Sequence, residues 1–145
     1  MIAVDTNILV YAHRRDTRLN SKACAVVTTL AQGDQPWAVP WPCVYEFISV
    51  VTNRRIWGDE ATTPTQAWRQ VHAWATSPSN HMLGETEDFI GILHRFIDRP
   101  KIVGGVVHDA RIAAICTAHG VEVLLTRDRD FSMFPEITTS DPLSA

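Results

Sequence analysis

The feature that most constrains the fold of this chain is the alternation of short apolar runs with longer segments of helical periodicity. The apolar runs are too short to be helices, and they predict strands at residues 2–4, 37–39, 81–83, 121–125 and 137–139. A crossover between parallel strands needs a connection of a dozen or more residues, which is commonly a helix. The alternation therefore predicts an α/β sandwich with a mainly parallel sheet.

Capping residues and prolines indicate where the helices begin and end. The segment Thr63-Pro64-Thr65-Gln66 is a capping box with proline at the first helical position, and Gly120 is expected as a C-cap. Asn20 or Ser21 is expected to cap the second helix, and Thr86 the fifth. The predicted helices span residues 7–13, 21–30, 42–55, 64–76, 87–98 and 107–118. Apolar residues at helical spacing predict the core faces of the third and fifth helices: Val44, Phe47, Ile48 and Val51, and Phe89, Ile90, Leu93 and Ile97.

Length and composition indicate one folded domain that spans residues 1–145. Only 20% of the residues are charged, which excludes wholesale disorder. No apolar run approaches the roughly 18 residues that span a bilayer, and Asp5 lies where a signal peptide would be basic or apolar. We therefore expect a cytoplasmic protein. The net charge of −3 argues against a protein that coats nucleic acid, but not against an enzyme that acts on it.

The three cysteines, Cys24, Cys43 and Cys116, are scattered along the chain and form no Cys-x-x-Cys pair. Neither a zinc ribbon nor a disulfide framework is therefore expected. Each lies among small apolar residues, which favours buried thiols.

Acidic residues follow two of the predicted strands directly. Asp5 ends the first strand, and Asp128 and Asp130 follow the strand at 121–125. In open α/β sheets the functional crevice lies beyond the carboxyl ends of the strands, so these residues are expected to meet there if the two strands are neighbours. Taken singly, Asp5 could equally be a helix N-cap, and Asp128 and Asp130 ordinary turn residues.

Asp109 and Glu46 lie within predicted helices. Asp109 shares one helical stripe with Ile112, Ala113 and Cys116, so a carboxylate heads the face that packs inward. A first-turn aspartate gains from the helix dipole, but the dipole does not require the inward face, and an unpaired buried charge is costly. Glu46 lies opposite the apolar face of its helix, which fits either a solvated surface or the lining of an open cleft.

Carboxylates that crowd together raise one another's pKa and destabilise the fold, and hard divalent cations relieve that repulsion. Mg²⁺ prefers oxygen ligands, and no histidine or cysteine spacing here suggests zinc. His108, beside Asp109, is expected to be structural or peripheral. The acidic residues therefore favour a Mg²⁺-type site.

These residues, in this order and spacing, resemble a PIN domain of the kind found in VapC-type toxins of prokaryotic toxin–antitoxin pairs. The resemblance covers nearly the whole chain. It rests on Asp5-Thr6-Asn7 after the first strand, Glu46 on a helix, His108-Asp109-Ala110 at the start of a helix, and residues 126–131 after the last strong strand. It implies a three-layer α/β/α sandwich and a Mg²⁺- or Mn²⁺-dependent endoribonuclease. It also implies a homodimer and neutralisation by a cognate VapB-type antitoxin.

The resemblance also implies roles for individual residues. The catalytic acidic quartet would be Asp5, Glu46, Asp109 and Asp128. The metal ligands would be Asp5, Asp109 and Asp128. The supporting residues would be Thr6, Asn7, Thr126 and Asp130, with Thr6 and Asn7 orienting Asp5. Whether Glu46 or Asp130 is the more direct ligand stays open.

Contacts to RNA are predicted from arginines near these elements, because the planar guanidinium suits phosphate. The predicted RNA-binding residues are Arg14, Arg15, Arg127 and Arg129, for which surface solubility is the alternative. The five tryptophans could stack on unpaired bases, although core packing or a protein interface is favoured, and residues 57–74 could form an apolar dimer face.

Two other functions fit parts of the pattern. The same fold could be a non-catalytic module that binds RNA or a partner protein, with its carboxylates acting as caps. A phosphoryl-transfer domain with an aspartate nucleophile would carry a second aspartate near the first and a strand-end lysine. Here Thr6 and Asn7 follow Asp5, and Lys101 follows no clear strand.

Overall fold

A five-stranded parallel sheet forms the centre of the molecule. The computed structural model describes residues 1–144. The strands lie in the order β3-β2-β1-β4-β5, and every neighbouring pair is parallel. Their bounds are β1 Ile2–Val4, β2 Trp37–Pro40, β3 Asn80–Leu83, β4 Val123–Leu125 and β5 Thr138–Ser140. The predicted α/β class with a parallel sheet is confirmed.

Helices connect the strands and flank the sheet. They are α1 Thr6–His13, α2 Asn20–Gln32, α3 Trp41–Val51, α4 Arg54–Trp57, α5 Pro64–Ala75, α6 Phe89–Ile97 and α7 Val106–Ala118. Short 3₁₀ helices occupy Gly58–Glu60 and Arg129–Met133. None of the helices in the described part of the chain has the length and apolar character needed to cross a membrane.

The core lies around the three central strands, as expected for a parallel sheet that is covered on its faces. Ala3 and Val4 of β1 and Leu124 of β4 are fully buried. Phe47 of α3 is also fully buried, and its ring packs edge-on against Trp74, with ring centroids 5.0 Å apart. This packing holds α3 in place, and α3 carries Glu46.

The three cysteines are free thiols, and their predicted burial is confirmed for two of them. Cys43 and Cys116 are fully buried. Cys24 is only partly buried, and its thiol donates to the Ala12 carbonyl oxygen at 2.9 Å.

Two predicted helix boundaries are wrong for local reasons. Asn20 lies inside α2, whose N-cap is Leu19, because the Asn20 side chain instead donates to the Tyr11 carbonyl at 2.7 Å. The third helix ends at Val51 rather than near residue 55. Asn53 caps a separate helix there, and its side chain accepts from the Arg55 N–H at 2.9 Å.

The predicted core face of the fifth helix is also wrong in part. This helix, α6, begins at Phe89 rather than Glu87, and Ile90 is 76% exposed. Phe96, which is 1% exposed, is the residue that packs inward, against Phe134 with ring centroids 5.4 Å apart. The aromatic contact sets the rotation of α6 and turns Ile90 and Ile97 outward.

The capping box at the start of α5 is confirmed, since the Thr63 hydroxyl accepts from the Gln66 N–H and the Gln66 side chain accepts from the Thr63 N–H. Thr63→Ala is expected to lower the free energy of unfolding by about 1 kcal/mol, because it leaves one helix donor without its partner. Chemical denaturation measures the change. Thr65→Ala, an exposed position in the same helix turn, is the matched control and should lose no stability.

Candidate functional site

The ends of β1 and β4 bring distant acidic residues together. β1 pairs in parallel with β4, and Val4 lies opposite Leu125. The chain continues as Asp5 on one strand and Thr126 on the other, and the Asp5 N–H donates to the Leu125 carbonyl at 3.0 Å. The two segments therefore leave the sheet side by side, at the edge where function was expected.

The carboxylate of Asp5 is surrounded by hydrogen-bond donors. Its side chain is 4% exposed. One carboxylate oxygen accepts from the Thr6 N–H at 2.8 Å and faces the Cys43 thiol at 3.5 Å. The other accepts from the Thr126 hydroxyl at 2.7 Å and from the Asn7 amide at 3.3 Å. Burial raises the pKa of Asp5 above its usual value, although these hydrogen bonds act in the opposite direction.

The two interpretations of Asp5 are compatible. Its side chain caps α1 through the Thr6 N–H, and the same carboxylate faces the cleft described below. Asp128 behaves in the same way, because its side chain caps the second 3₁₀ helix by accepting from the Asp130 N–H at 2.9 Å.

Thr126 and Asn7 connect the two strand ends. The Thr126 hydroxyl donates to Asp5 and accepts from the Asp128 N–H at 2.9 Å. The Asn7 side chain donates to Asp5 and accepts from the Arg127 N–H at 3.1 Å. Both residues therefore fix the position of Asp128 relative to Asp5.

Thr126→Val is expected to lower the free energy of unfolding by about 1–3 kcal/mol, because the buried Asp5 carboxylate loses a donor and the Asp128 N–H loses its acceptor. Thr126 is 4% exposed, so water cannot freely replace the lost hydroxyl. Urea denaturation measures the change. Thr126→Ser keeps the hydroxyl and should stay close to the wild type, and equal losses in both variants would contradict the role of the hydroxyl.

Asp109 projects from α7 towards the same group of acidic residues. Carboxylate oxygens of Asp109, Asp128 and Asp130 all lie within 4.8 Å of one another. Burial is the main reason that the pKa of Asp109 is raised to about 7, and the negative charges of Asp128, Asp5, Asp130 and Glu46 raise it further. Carboxylate oxygens are the donors that a hard divalent cation prefers, and its charge would relieve the repulsion that helps to raise this pKa. The residues therefore fit a metal of the Mg²⁺ class.

Glu46 is exposed, lies on α3 and lines the cleft described below. Its side chain accepts from the Thr6 hydroxyl at 2.9 Å, so it is tethered to the residue after Asp5. Of the two alternatives left open by the sequence, the structure favours the lining of an open cleft.

These residues surround a cleft of about 310 Å³. Its polar lining residues are Asp5, Thr6, Asn7, Glu46, Asp109 and Asp128. Its remaining lining residues are Val10, Tyr11, Val50 and Trp57. The structure thus brings together all four members of the predicted acidic quartet, and Asp130 joins Asp109 and Asp128 at their edge of the site.

Tyr11, which lines the cleft, and Cys43, which contacts Asp5, were not predicted as site residues, and the same holds for Val10 and Val50. Tyr11 lies one helical turn after Asn7, and this i, i+4 spacing could have placed both on the same face of α1. Cys43 lies three residues before Glu46 on α3, and a similar argument could have placed its thiol near Asp5.

Arg14 does not lie where an RNA-binding arginine would. It is 6% exposed, its guanidinium pairs with Asp16, and it donates to the Glu60 carbonyl at 2.6 Å. Its Cζ lies 4.0 Å from the centroid of the Trp57 ring. This burial argues against the direct contact with RNA that was predicted for Arg14, because its donors are already engaged within the chain.

The other three arginines remain closer to the surface. Arg15 and Arg129 are exposed. Arg127 lies 3.5 Å from an Asp141 carboxylate oxygen. His108 is exposed, in keeping with the predicted peripheral position.

Comparison with known proteins agrees with this geometry. Residues 2–137 match the family model of the PIN domain. The chain is 33% identical to VapC ribonuclease Mb2897 of Mycobacterium bovis, over 99% of this chain and 96% of that protein. It is 29% identical to ribonuclease VapC48 of Mycobacterium tuberculosis, over 97% and 96% of the two chains.

Solved structures show the same fold at lower sequence identity. VapBC2 from Rickettsia felis, bound to a DNA fragment from its promoter, superposes with a TM-score of 0.69 at 16% identity, over 97% of this chain and 98% of that one. The Sarcin-Ricin loop cleaving toxin VapC20 of Mycobacterium tuberculosis superposes with a TM-score of 0.63 at 19% identity, over 91% and 93%.

Proposed function

Because this chain belongs to the PIN-domain family, we propose that it is a VapC-type endoribonuclease that hydrolyses RNA phosphodiester bonds with the help of a divalent cation. The observation that carries this proposal is the convergence of Asp109, Asp128 and Asp130 within 4.8 Å at the strand ends, beside Asp5. The near full-length similarity to VapC ribonucleases supports it.

The cation is proposed to be Mg²⁺ or Mn²⁺, since the available ligands are all carboxylate oxygens. Asp109 and Asp128 would hold it, with Asp130 or Asp5 completing the protein ligands. When bound, such a cation supplies an activated water at neutral pH and charge that stabilises the phosphate oxygens. Asp5 already accepts four hydrogen bonds from the chain, so its negative charge is held at a fixed position in the site.

The remaining residues of the site orient the reacting groups. Glu46, which is held by the Thr6 hydroxyl, is positioned to accept a proton from a water molecule or to orient it for in-line attack. Thr6, Asn7 and Thr126 keep the carboxylates in place through their hydrogen bonds. The exposed Arg15 and Arg129 would attract the phosphate backbone.

Partners follow from the proposed role as the toxin of a toxin–antitoxin pair. We propose that a cognate VapB-type antitoxin neutralises the chain, that it forms a homodimer, and that it acts on RNA in the cytoplasm. Solved relatives with the same fold include VapBC complexes, among them one from Salmonella typhimurium bound to DNA, which superposes with a TM-score of 0.65.

RNA cleavage with and without the cation tests the proposal. The purified chain is incubated with single-stranded and structured RNAs in Mg²⁺ or Mn²⁺, and in EDTA, and the products are separated on denaturing gels. Cleavage is expected only with the cation and not with Asp5→Asn. Asp34→Asn, which changes an exposed acidic residue outside the cleft lining, should cleave like the wild type.

Cleavage that persists in EDTA or in Asp5→Asn would overturn the metal-dependent mechanism. RNA binding without cleavage under every condition would instead favour the non-catalytic binding module.

A further inference from the structure

One helical turn beyond the polar residues of α1 and α3, the cleft lining becomes apolar and partly aromatic. This part of the lining is formed by Val10 and Tyr11 of α1, Val50 of α3 and Trp57 of α4. Neither a metal site nor the hydrolysis of a phosphodiester requires these residues, because both depend on charge. We call these four residues the apolar wall.

Trp57 is held rigidly within the apolar wall. Its indole N–H donates to the Val50 carbonyl at 2.9 Å, and the Arg14 guanidinium lies 4.0 Å from its ring centroid. Arg14 is itself fixed by Asp16 and by the Glu60 carbonyl. The guanidinium covers one face of the indole. A ligand can therefore reach only the part of the ring that lines the cleft.

We propose that Trp57, with Tyr11 in the lining of the same cleft, is a stacking site for an unpaired nucleobase of the RNA whose phosphate lies at the carboxylates. This inference rests on the proposed ribonuclease function and adds the part of the substrate that the acidic residues cannot bind. Unpaired bases stack on aromatic side chains, whatever their sequence, because every base has an apolar face. Arg14 is then a positioning residue, which acts on RNA only through Trp57.

The shape of the cleft favours a nucleotide over a protein segment as the occupant. Its volume of about 310 Å³ is at the lower end of the range for small-molecule sites. The apolar wall shares this small cleft with Asp5, Asp109 and Asp128. A nucleotide is apolar at its base and anionic at its phosphate. It therefore matches both the apolar and the acidic parts of the cleft lining once a cation compensates the carboxylates.

Binding of two matched oligonucleotides tests the stacking site. The probes are fluorescein-labelled hexaadenylate and an abasic ribose-phosphate oligomer of the same length. Both are measured in Mg²⁺ with Glu46→Gln present in every chain, so that the RNA stays intact while the proposed metal ligands are kept. Trp57→Ala is expected to weaken hexaadenylate binding about tenfold and to leave the abasic oligomer within twofold. Trp68→Ala removes a tryptophan that is 52% exposed and outside the cleft lining, and should change neither.

Tryptophan fluorescence provides a second measurement that does not depend on the stability of the alanine variant. Trp57→Phe keeps a stacking ring, so it should bind hexaadenylate within about threefold of the Trp57-containing chain. It should nevertheless lose the fluorescence quenching that hexaadenylate causes in that chain. Arg14→Lys loses the planar contact with the indole and should weaken hexaadenylate but not the abasic oligomer.

Unchanged hexaadenylate binding in Trp57→Ala, equal weakening of both probes, or full quenching in Trp57→Phe would each overturn the stacking site. Loss of oligomer mass in Trp57→Ala with unchanged binding would assign the apolar wall to a second copy of the chain. Cleavage by the chain with wild-type Glu46 in Mg²⁺ is scored separately, so a failure of the proposed function is distinguishable from a failure of the stacking site.

Discussion

Asp109→Asn is expected to abolish RNA cleavage and, at the same time, to make the fold more stable at neutral and alkaline pH. Asp109 is half-buried beside Asp128 and Asp130, so its ionised form is opposed by both desolvation and repulsion. Asparagine has nearly the same shape without the charge. The cation then loses a ligand, and we expect cleavage to fall by about 10²–10³-fold or more.

The gain in stability has a defined pH dependence. The pKa of Asp109 is raised from 3.8 to about 7 in the folded chain. Between these values the folded state binds more protons than the unfolded state, so the free energy of unfolding falls as the pH rises through this window. The full cost of the charge is present only above about pH 7. Asp109→Asn should therefore match the wild type near pH 4 and exceed it near pH 8.

The size of this gain is limited by the open cleft. A shift from 3.8 to about 7 would correspond to roughly 4 kcal/mol if the group were fully buried. Solvent screening at a half-buried site reduces this, and the lost interaction of Asp109 with the N-terminus of α7 removes a few tenths more. We expect about 1–2 kcal/mol at pH 8 in EDTA.

Urea denaturation at pH 4.5, 6 and 8 in EDTA measures the stability, and gel assays in Mg²⁺ measure cleavage. Asp34→Asn is the matched control, since it removes the same charge from an exposed turn. A variant that is inactive but less stable than the wild type at pH 8 would show that Asp109 is a structural residue and not part of a strained acidic site.

Much of this site could be predicted from the sequence because parallel strands place their carboxyl ends at one edge of the sheet. Asp5 and Asp128 followed from that rule, and Asp109 followed from its place at the head of an inward-facing stripe. These predictions depend only on local periodicity and on the class of sheet.

What could not be predicted depends on contacts between distant segments. Arg14 lies next to Arg15 in the sequence, yet one is buried against Trp57 and the other is exposed, because α4 covers only the first. The rotation of α6 was mispredicted because Phe96 packs on Phe134, which lies beyond α7 in the chain. Asn7 and Thr126 both donate to Asp5, and the Asn7 amide also donates to the Thr126 hydroxyl at 3.4 Å. The periodicity of α1 does not predict this network.

Mg²⁺ or Mn²⁺ is expected to stabilise the folded chain, and the effect should grow as the pH rises from about 6 to 8. The carboxylates must be ionised to bind the cation, and Asp109, with a pKa of about 7, is protonated in a large part of the molecules below that pH. Binding to the folded state alone stabilises it by about 2.7 kcal/mol at a cation concentration of 100 times Kd.

Thermal unfolding in EDTA and in a series of Mg²⁺ or Mn²⁺ concentrations, at constant ionic strength, measures this linkage. The cation should raise the Tm of the wild type and of Asp34→Asn to the same extent, and leave Asp109→Asn nearly unchanged. The ionised Asp109 destabilises the wild type only while no cation is bound. Saturating cation should therefore also remove most of the stability difference between the wild type and Asp109→Asn. An equal rise of the Tm in all three chains, or a rise that does not depend on pH, would show that the cation binds away from Asp109. The acidic site would then not be the metal site that the proposed cleavage requires.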